Sequence, residues 1–278
     1  MMESDETRQW LEQELQKIRK WERSQGGSPF WQRIGKIPFR ILDRLTPAFI
    51  HRKVGTALDE LGKFIQTGGG YLSSEKAVPN FFKDDRVGGL SDVIRLPIRQ
   101  MDAAAVSVAA NREKTAAVQG ASTGIGGIFT LSIDIPLLLS LQLKTLQDIA
   151  MCYGFDPKLP EERLFIVKIL QFVSSDASAK KAVLRQMGQL TGNTAAGRTE
   201  IITELQGWRE VVYSYRDRWG WKKLFQMVPV AGLVFGAFTN RNVIRELSEA
   251  GEMFYRKRRI EERLGIGESG FTPHSTHP

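Results

Sequence analysis

Residues 120–144 read GASTGIGGIFTLSIDIPLLLSLQLK, and this stretch limits the folds open to the chain more than any other. Between Thr115 and Leu143 the sole formal charge is Asp134. A segment so apolar must be surrounded, either by other protein or by lipid. Gly120, Gly124 and Gly127 recur at helical spacing, which places them on one face and lets another helix approach backbone to backbone. Asp134 followed by Pro136 predicts a helix start, the carboxylate accepting backbone N–H bonds and the proline lying in the first turn. The stretch therefore predicts a buried hairpin, a short Gly-rich helix followed by a longer one over 135–153 that Gly154 terminates. A straight membrane span would hold Asp134 near mid-bilayer at a cost of about 2.5 to 3.5 kcal/mol, and the proline would interrupt its hydrogen bonds. Burial inside a folded core is the expected state; a hairpin that meets the bilayer only on docking is the alternative.

The overlapping run KTAAVQGASTGIG resembles the cofactor loop of the short-chain dehydrogenases, in which a strand, a glycine turn and a helix N-terminus hold a pyrophosphate. Its surroundings oppose that reading. The preceding residues are Ala-rich and helical in pattern, and the following helix would be interrupted at Asp134-Ile135-Pro136. That family also needs a Tyr-x-x-x-Lys pair, and no tyrosine here has a lysine four residues on; Tyr255 is followed by Arg259. No cofactor is expected.

The remaining pattern is helical throughout, and alternating polar and apolar strand patterns are scarce. Trp10, Leu11, Leu15, Ile18 and Trp21 predict an amphipathic N-terminal helix within 1–24. Residues 25–89 form a basic helical region and a connection, with Thr46-Pro47 opening a helix that the glycines at 68–70 end, and a short helix near Phe81 and Phe82. From 90 to 264 a core is expected, with helices over 97–119, from Pro160-Glu161-Glu162 onward, at 176–190 and 196–218, and over 240–264 starting at Asn240. Ala103, Ala104, Ala105, Ala109 and Ala110 form a small-residue stripe on the first of these. Residues 265–278 are read as a flexible tail. The fold class predicted is all-α, a multi-helix bundle built around a buried Gly-rich apolar hairpin.

Chemistry is harder to find. The three histidines, His51, His274 and His277, stand at no common ligand spacing, so neither a histidine triad nor a zinc site, nor any other metal, is expected. The lone cysteine, Cys152, excludes a disulfide framework and reads as core. The charged start MMESDETRQWLEQELQKIRKWERSQ has no apolar run of the secretory kind, so export is not expected. The carboxylates Asp92, Asp102, Asp134 and Asp148 remain, of which Asp134 is the candidate catalytic group because a carboxylate in an apolar segment must be paired, capping or protonated.

A net charge of +8 and a pI near 9.6 favour acidic partners, an anionic lipid surface or nucleic acid. No zinc-finger, RNP-like or recognition-helix signature supports nucleic acid. Arg95 and Arg99, one turn apart, have the reach to hold a carboxylate or a lipid phosphate, and Trp10 and Trp21 beside Lys17, Arg19, Lys20 and Arg23 suit a headgroup layer. The densest basic run, RKRRIEER at 256–263, is immediately followed by acids and predicts a solvated helical face.

The combination GIGGIFTLSIDIPLLLSLQLKTLQDIAMCYGFD, PEERLFIVKIL and VPVAGLVFGAFTNRNVIRELSEAGEMFYRKRRI resembles the EcsC family, through the Gly-Gly run before an Asp-hydrophobic-Pro element, the Ile-Ala-x-x-Tyr-Gly-x-Asp ending and the late Pro-x-x-Gly segment leading to Asn240. The likeness runs over 90–264. That family is named after the third gene of a bacterial operon whose other products form an ABC transporter linked to secretion. The resemblance implies an α-rich, cytoplasmic, non-enzymatic accessory protein at the inner face of a membrane, with ABC transporter subunits as possible partners. It brings no catalytic residues. The alternative is an enzyme acting on a lipid or other hydrophobic substrate with Asp134 participating.

Overall fold

Leu11, Leu15 and Ile18 recur at the spacing that puts them on one side of a helix, and that side is buried in α1 (Arg8–Ser24). Thr7 opens the helix as its N-cap, its hydroxyl accepting the N–H of Trp10 at 3.2 Å. A computed structural model describes residues 6–25, 56, 59–68, 73–82, 84, 86–124, 135–175, 177–190 and 240–266. Among these, the next helix, α2, covers 59–67, and Gly68 ends it at φ 79° with its N–H donated to the carbonyl of Phe64. A 3-10 helix, Glu75–Asn80, stops just before Phe81, so the expected short helix lies immediately upstream of the phenylalanine pair. One short turn, α3 (Leu90–Val93), precedes the long α4 (Ile98–Gly124).

The end of α4 corrects two expectations. Helix continues past Gln119 through Gly120 and Gly124, so these glycines belong to the end of the Ala-rich helix and not to a separate short one. Residues 114–124 are therefore helical, which leaves no strand-and-turn for a nucleotide loop. Gly127 and Asp134, the other parts of the expected hairpin, lie outside the described residues, as do the helix at 196–218 and the three histidines. On the packed face of α4 stand Met101, Ala104, Ala105, Val108 and Ala109, at steps of three and four; Ala103 and Ala110 face outward.

Helix α5 (Ile135–Cys152), with Pro136 as its second residue, is the central element. From Leu141 to Cys152 nearly every side chain is buried, whatever its polarity; several polar ones are met within the helix or by neighbouring elements, while the Gln142 side-chain oxygen is left without a partner. Thr145 donates to the carbonyl of Leu141, and the Gln147 amide both donates to Leu143 and accepts the N–H of Ser73. The helix ends as its sequence predicts. Gly154 takes φ 77°, its N–H reaching the Met151 carbonyl and that of Phe155 reaching Ala150, the paired bonds of a Schellman cap.

Helix α6 (Pro160–Ser174) begins with proline at its first position and Glu161 and Glu162 in its first turn, which suits the positive end of the helix dipole. Arg163 reaches back from it to the Ile65 and Gln66 carbonyls, closing the end of α2 with a guanidinium. Helix α7 (Ala177–Leu190) folds against α6, where the buried Lys168 bridges Gln171 and Gln186 at 2.8 Å each. Finally α8 (Asn240–Arg263) packs on α4, α5, α6 and α1. The backbones of α5 and α8 come close at Gly251, where an added Cβ would stand 2.9 Å from Leu146 Cδ2. No strand occurs among the described residues, and no helix in them is long and apolar enough to cross a membrane. The fold is all-α.

Candidate functional site

The basic run of α8 is not a solvated face, and this is the main correction to the sequence reading. Arg256 sits between Asp102 of α4 and Glu14 of α1, at 3.0 and 2.8 Å. Lys257 pairs with Glu22 at 2.8 Å. Arg258 forms a two-pronged pair with Glu162, and its guanidinium stacks 4.1 Å from the ring centre of Phe155 and 4.4 Å from that of Phe165. Arg259 donates two hydrogen bonds to the Tyr153 carbonyl at the end of α5. Arg263 pairs with Glu6. Each cation is turned inward because a carboxylate or an uncapped carbonyl from another element meets it, and half-buried pairs of this geometry are far stronger than exposed ones.

The candidate carboxylates are similarly engaged. Asp92 accepts the N–H groups of Gly88 and Gly89 at 2.9 and 3.2 Å. Asp148, buried on α5, accepts from Ser73 at 2.9 Å and pairs with Arg112 of α4. Asp102 accepts the Tyr153 hydroxyl at 2.8 Å besides Arg256; burial pushes its carboxyl up, against the pull of the arginine. Cys152 is fully buried, and burial, reinforced by Asp148, raises its thiol well above the ordinary range. Tyr255 is fully buried and enclosed by Phe155 and Phe165.

Among the described residues a groove of about 1150 Å³ lies where the entry to α1 meets the α3–α4 turn and the end of α8. Glu6, Asp92, Arg95, Arg99 and Arg263 line it. The Glu6 carboxylate accepts the N–H of Ile98, the first residue of α4, and holds Arg263, which also donates to the Leu96 carbonyl. Glu6 thereby supplies from a distant part of the chain the N-cap that the Leu96-Pro97 turn lacks. Arg86 pairs with Asp84 at 2.7 Å and holds that carboxyl down to about 2. Arg95 is exposed and has no ion-pair partner among the described residues. Arg99 is exposed too, its guanidinium 5.6 Å from the ring centre of Trp10.

The structure therefore gathers Arg95, Arg99 and Trp10 at one end of the molecule and sends Trp21 elsewhere. Trp21 stacks edge-on against Phe254 at 5.5 Å, lies 6.0 Å from Phe172, and donates its indole N–H to Glu249 at 2.7 Å. Glu6 and Arg263 are groove residues that the sequence reading did not single out. A carboxylate just ahead of an N-capped helix was the available signal, but nothing local shows that it caps a helix 92 residues away. The candidate catalytic Asp134 lies outside the described residues, and among those described no group of three or more His, Cys, Asp or Glu is arranged to hold a metal ion.

Comparison with known proteins bears on the whole chain. The EcsC protein family model matches residues 12–260, which includes most of α1 as well as the segment where the family-like motifs lie. The chain is similar to the uncharacterized protein YdbA of Bacillus subtilis (strain 168), with 48% identity over 263 residues, 93% of this chain and 96% of the relative. It is also similar to Protein EcsC of the same organism, with 30% identity over 174 residues, 63% of this chain and 70% of that protein. No solved structure matches. With the family model spanning nearly the full length, and motifs such as the Tyr153-Gly154 ending serving as structural caps and joints, the chain belongs to the EcsC protein family.

Proposed function

We propose that the protein is a non-enzymatic accessory factor that docks on the anionic inner face of a membrane through the outer face of α1. One observation supports this above others: with the cations of the 256–263 run engaged internally, Arg19, Lys20 and Arg23 stand exposed on α1 without ion-pair partners among the described residues. Lys20 lies opposite Leu11, Leu15 and Ile18, with Arg23 beside it and Arg19 at the edge of the buried side, so α1 is held by its apolar side and offers bases on its outer one. Clustered bases near an anionic surface each contribute about 1 kcal/mol of attraction, weakened by salt. The family's operon name supplies the class of partner, an ABC transporter. Sedimentation with phosphatidylglycerol and phosphatidylcholine vesicles tests the reading. Retention should be greater on the anionic vesicles, decline with added salt, and fall in an R19E/K20E/R23E variant. Equal retention on both vesicle types at low salt would overturn it.

A further inference from the structure

One arginine ties the middle of α1 to the rest of the bundle, and a third carboxylate stands at a spacing from which it can compete for it. The Arg256 guanidinium lies between Asp102 of α4 and Glu14 of α1, at 3.0 and 2.8 Å. Glu252 stands one turn earlier on α8, half-buried, with no hydrogen bond or ion pair among the described residues. A glutamate four residues before an arginine is well placed for a pair along a helix. Here the two do not meet, because Arg256 is turned to its partners on α4 and α1. The groups that face Glu252 are mostly acidic: Asp102 and Glu113 on α4, Glu249 on α8 itself, Glu14 with Lys17 on α1, and Cys152, Tyr153 and the Arg112-bound Asp148 on α5. Helix α6 turns its acid, Glu162, to Arg258 further along. Burial, followed by the charges of Asp102, Glu249 and Glu113, pushes the Glu252 carboxyl from 4.5 up to about 7.

We infer that Glu252, Arg256 and Glu14 form a proton-operated latch on α1: protonated Glu252 leaves Arg256 to clasp Glu14, and ionised Glu252 draws Arg256 back along α8 and loosens α1 around Glu14. The exchange leaves no carboxylate bare. Asp102 keeps the Tyr153 hydroxyl at 2.8 Å, Glu14 keeps Lys17 at 2.5 Å, and Glu252 gains a cation. A value above the ordinary one means that the clasped form binds the extra proton, so the clasp is complete below about 4.5 and is lost as pH rises through about 7. Helix α1 keeps its other ties, Leu11, Leu15 and Ile18 in the core and the pairs of Glu6 with Arg263 and Glu22 with Lys257, so it opens locally and does not leave. The latch concerns how α1 is held and not what it docks on.

Hydrogen exchange of the full chain at pH 6 and pH 8, corrected for the rise of the intrinsic rate with pH, tests the latch in the absence of lipid. The α1 amides from Leu11 to Ile18 should be less protected than those of α5 at both pH values, since they open locally. Their protection should fall about tenfold between pH 6 and pH 8, the linkage of a group that ionises at about 7. Glu252→Gln keeps the shape of the protonated form and should hold the pH 6 protection at both values. Glu14→Gln removes the charge that Arg256 clasps, so α1 should be as poorly protected at pH 6 as in the parent at pH 8, and should respond no further. The latch is overturned if α1 of the parent shows no response to pH, or if the response persists in Glu252→Gln or in Glu14→Gln. Equal protection of α1 and α5 throughout would overturn it too, because the proton would then act on unfolding of the whole molecule. With no vesicle in the measurement, its failure leaves the docking reading standing.

Discussion

Glu252 is a carboxylate in the wrong company. It stands on α8 facing α4, and burial, followed by the nearby charges of Asp102, Glu249 and Glu113, raises its carboxyl from 4.5 to about 7. The cation closest in sequence, Arg256, is turned to Asp102 and Glu14. A folded-state value above the unfolded one means that the native form binds the extra proton. Stability from this group is therefore complete below about 4.5 and is lost as pH rises through about 7. Glu252→Gln mimics the protonated form, so it should stabilise the protein at pH 8 by roughly 1 to 3 kcal/mol and change little at pH 4.5. Thermal melts of both proteins at the two pH values check this, and equal gains at both would remove charge as the cause. Gly154 shows the opposite kind of residue, one whose role the sequence announced. At φ 77° any L side chain is strained, and a Cβ there would lie 2.9 Å from Ile94 Cγ1 and 3.0 Å from an Arg259 nitrogen. Gly154→Ala should cost about 2 to 4 kcal/mol by chemical denaturation, through both the left-handed backbone and the contact. Glu252 had no such clear signal, because its burial and the charges of Asp102 and Glu113 on α4 arise only once the helices pack.

Between helices, α1 and α8 meet as an antiparallel seam: Glu6 faces Arg263, Glu14 faces Arg256, and Trp21 faces Glu249. Both helices advance by seven or eight residues from one pairing to the next, close to two helical turns, which keeps the contacts in register along one stripe. The helices themselves were legible. Pro160 with two glutamates marked the start of α6, the Gly154 position marked the end of α5, and the all-round apolar character of α5 marked a central helix. The sign of α8's polar face was also legible, but its destination was not. A helix rich in Arg and Glu has the same spacing whether its charges meet water or meet carboxylates from α1, α4 and α6, so periodicity alone cannot tell a solvated face from a bridged one. The bridged arrangement makes unequal predictions for its members. Arg256→Met leaves Asp102 and Glu14 as half-buried carboxylates without their cation, and should cost about 3 to 5 kcal/mol in urea unfolding. Lys257→Met breaks only a pair nearer the surface and should cost about 1 kcal/mol or less. Equal small losses in the two variants would return the basic run to the status of a solvated face.

Over the whole molecule, the seam joins the beginning of the described chain to its end, so α1 is structural before it is anything else. Three of its side chains, Leu11, Leu15 and Ile18, are buried in the same core as α4, α5 and α8, and burial of that kind contributes about 1.5 to 3 kcal/mol per side chain. Its acids answer Arg256 and Lys257, Glu6 just ahead of it answers Arg263, and Trp21 covers the Phe172 and Phe254 rings. A chain lacking residues 1–25 would expose that apolar surface and leave three cations of α8 without their N-terminal carboxylates at once. The summed loss approaches the roughly 5 to 15 kcal/mol by which folded domains are stable. The expected product keeps much of its helix, since α5 and α6 are apolar enough to stay associated, but loses its fixed packing. Far-ultraviolet circular dichroism should then remain strong, the near-ultraviolet signal from the aromatic cluster should collapse, and a dye that binds exposed apolar surface should fluoresce. The measurement also constrains how α1 can serve a membrane. A truncated chain that still melts cooperatively within a few degrees of the parent would make α1 a detachable arm, free to leave the core and lie on lipid by its apolar side. A truncated chain that loses its packing requires α1 to stay docked on α8, and then α1 can meet an anionic surface by its outward cations and not by its apolar side.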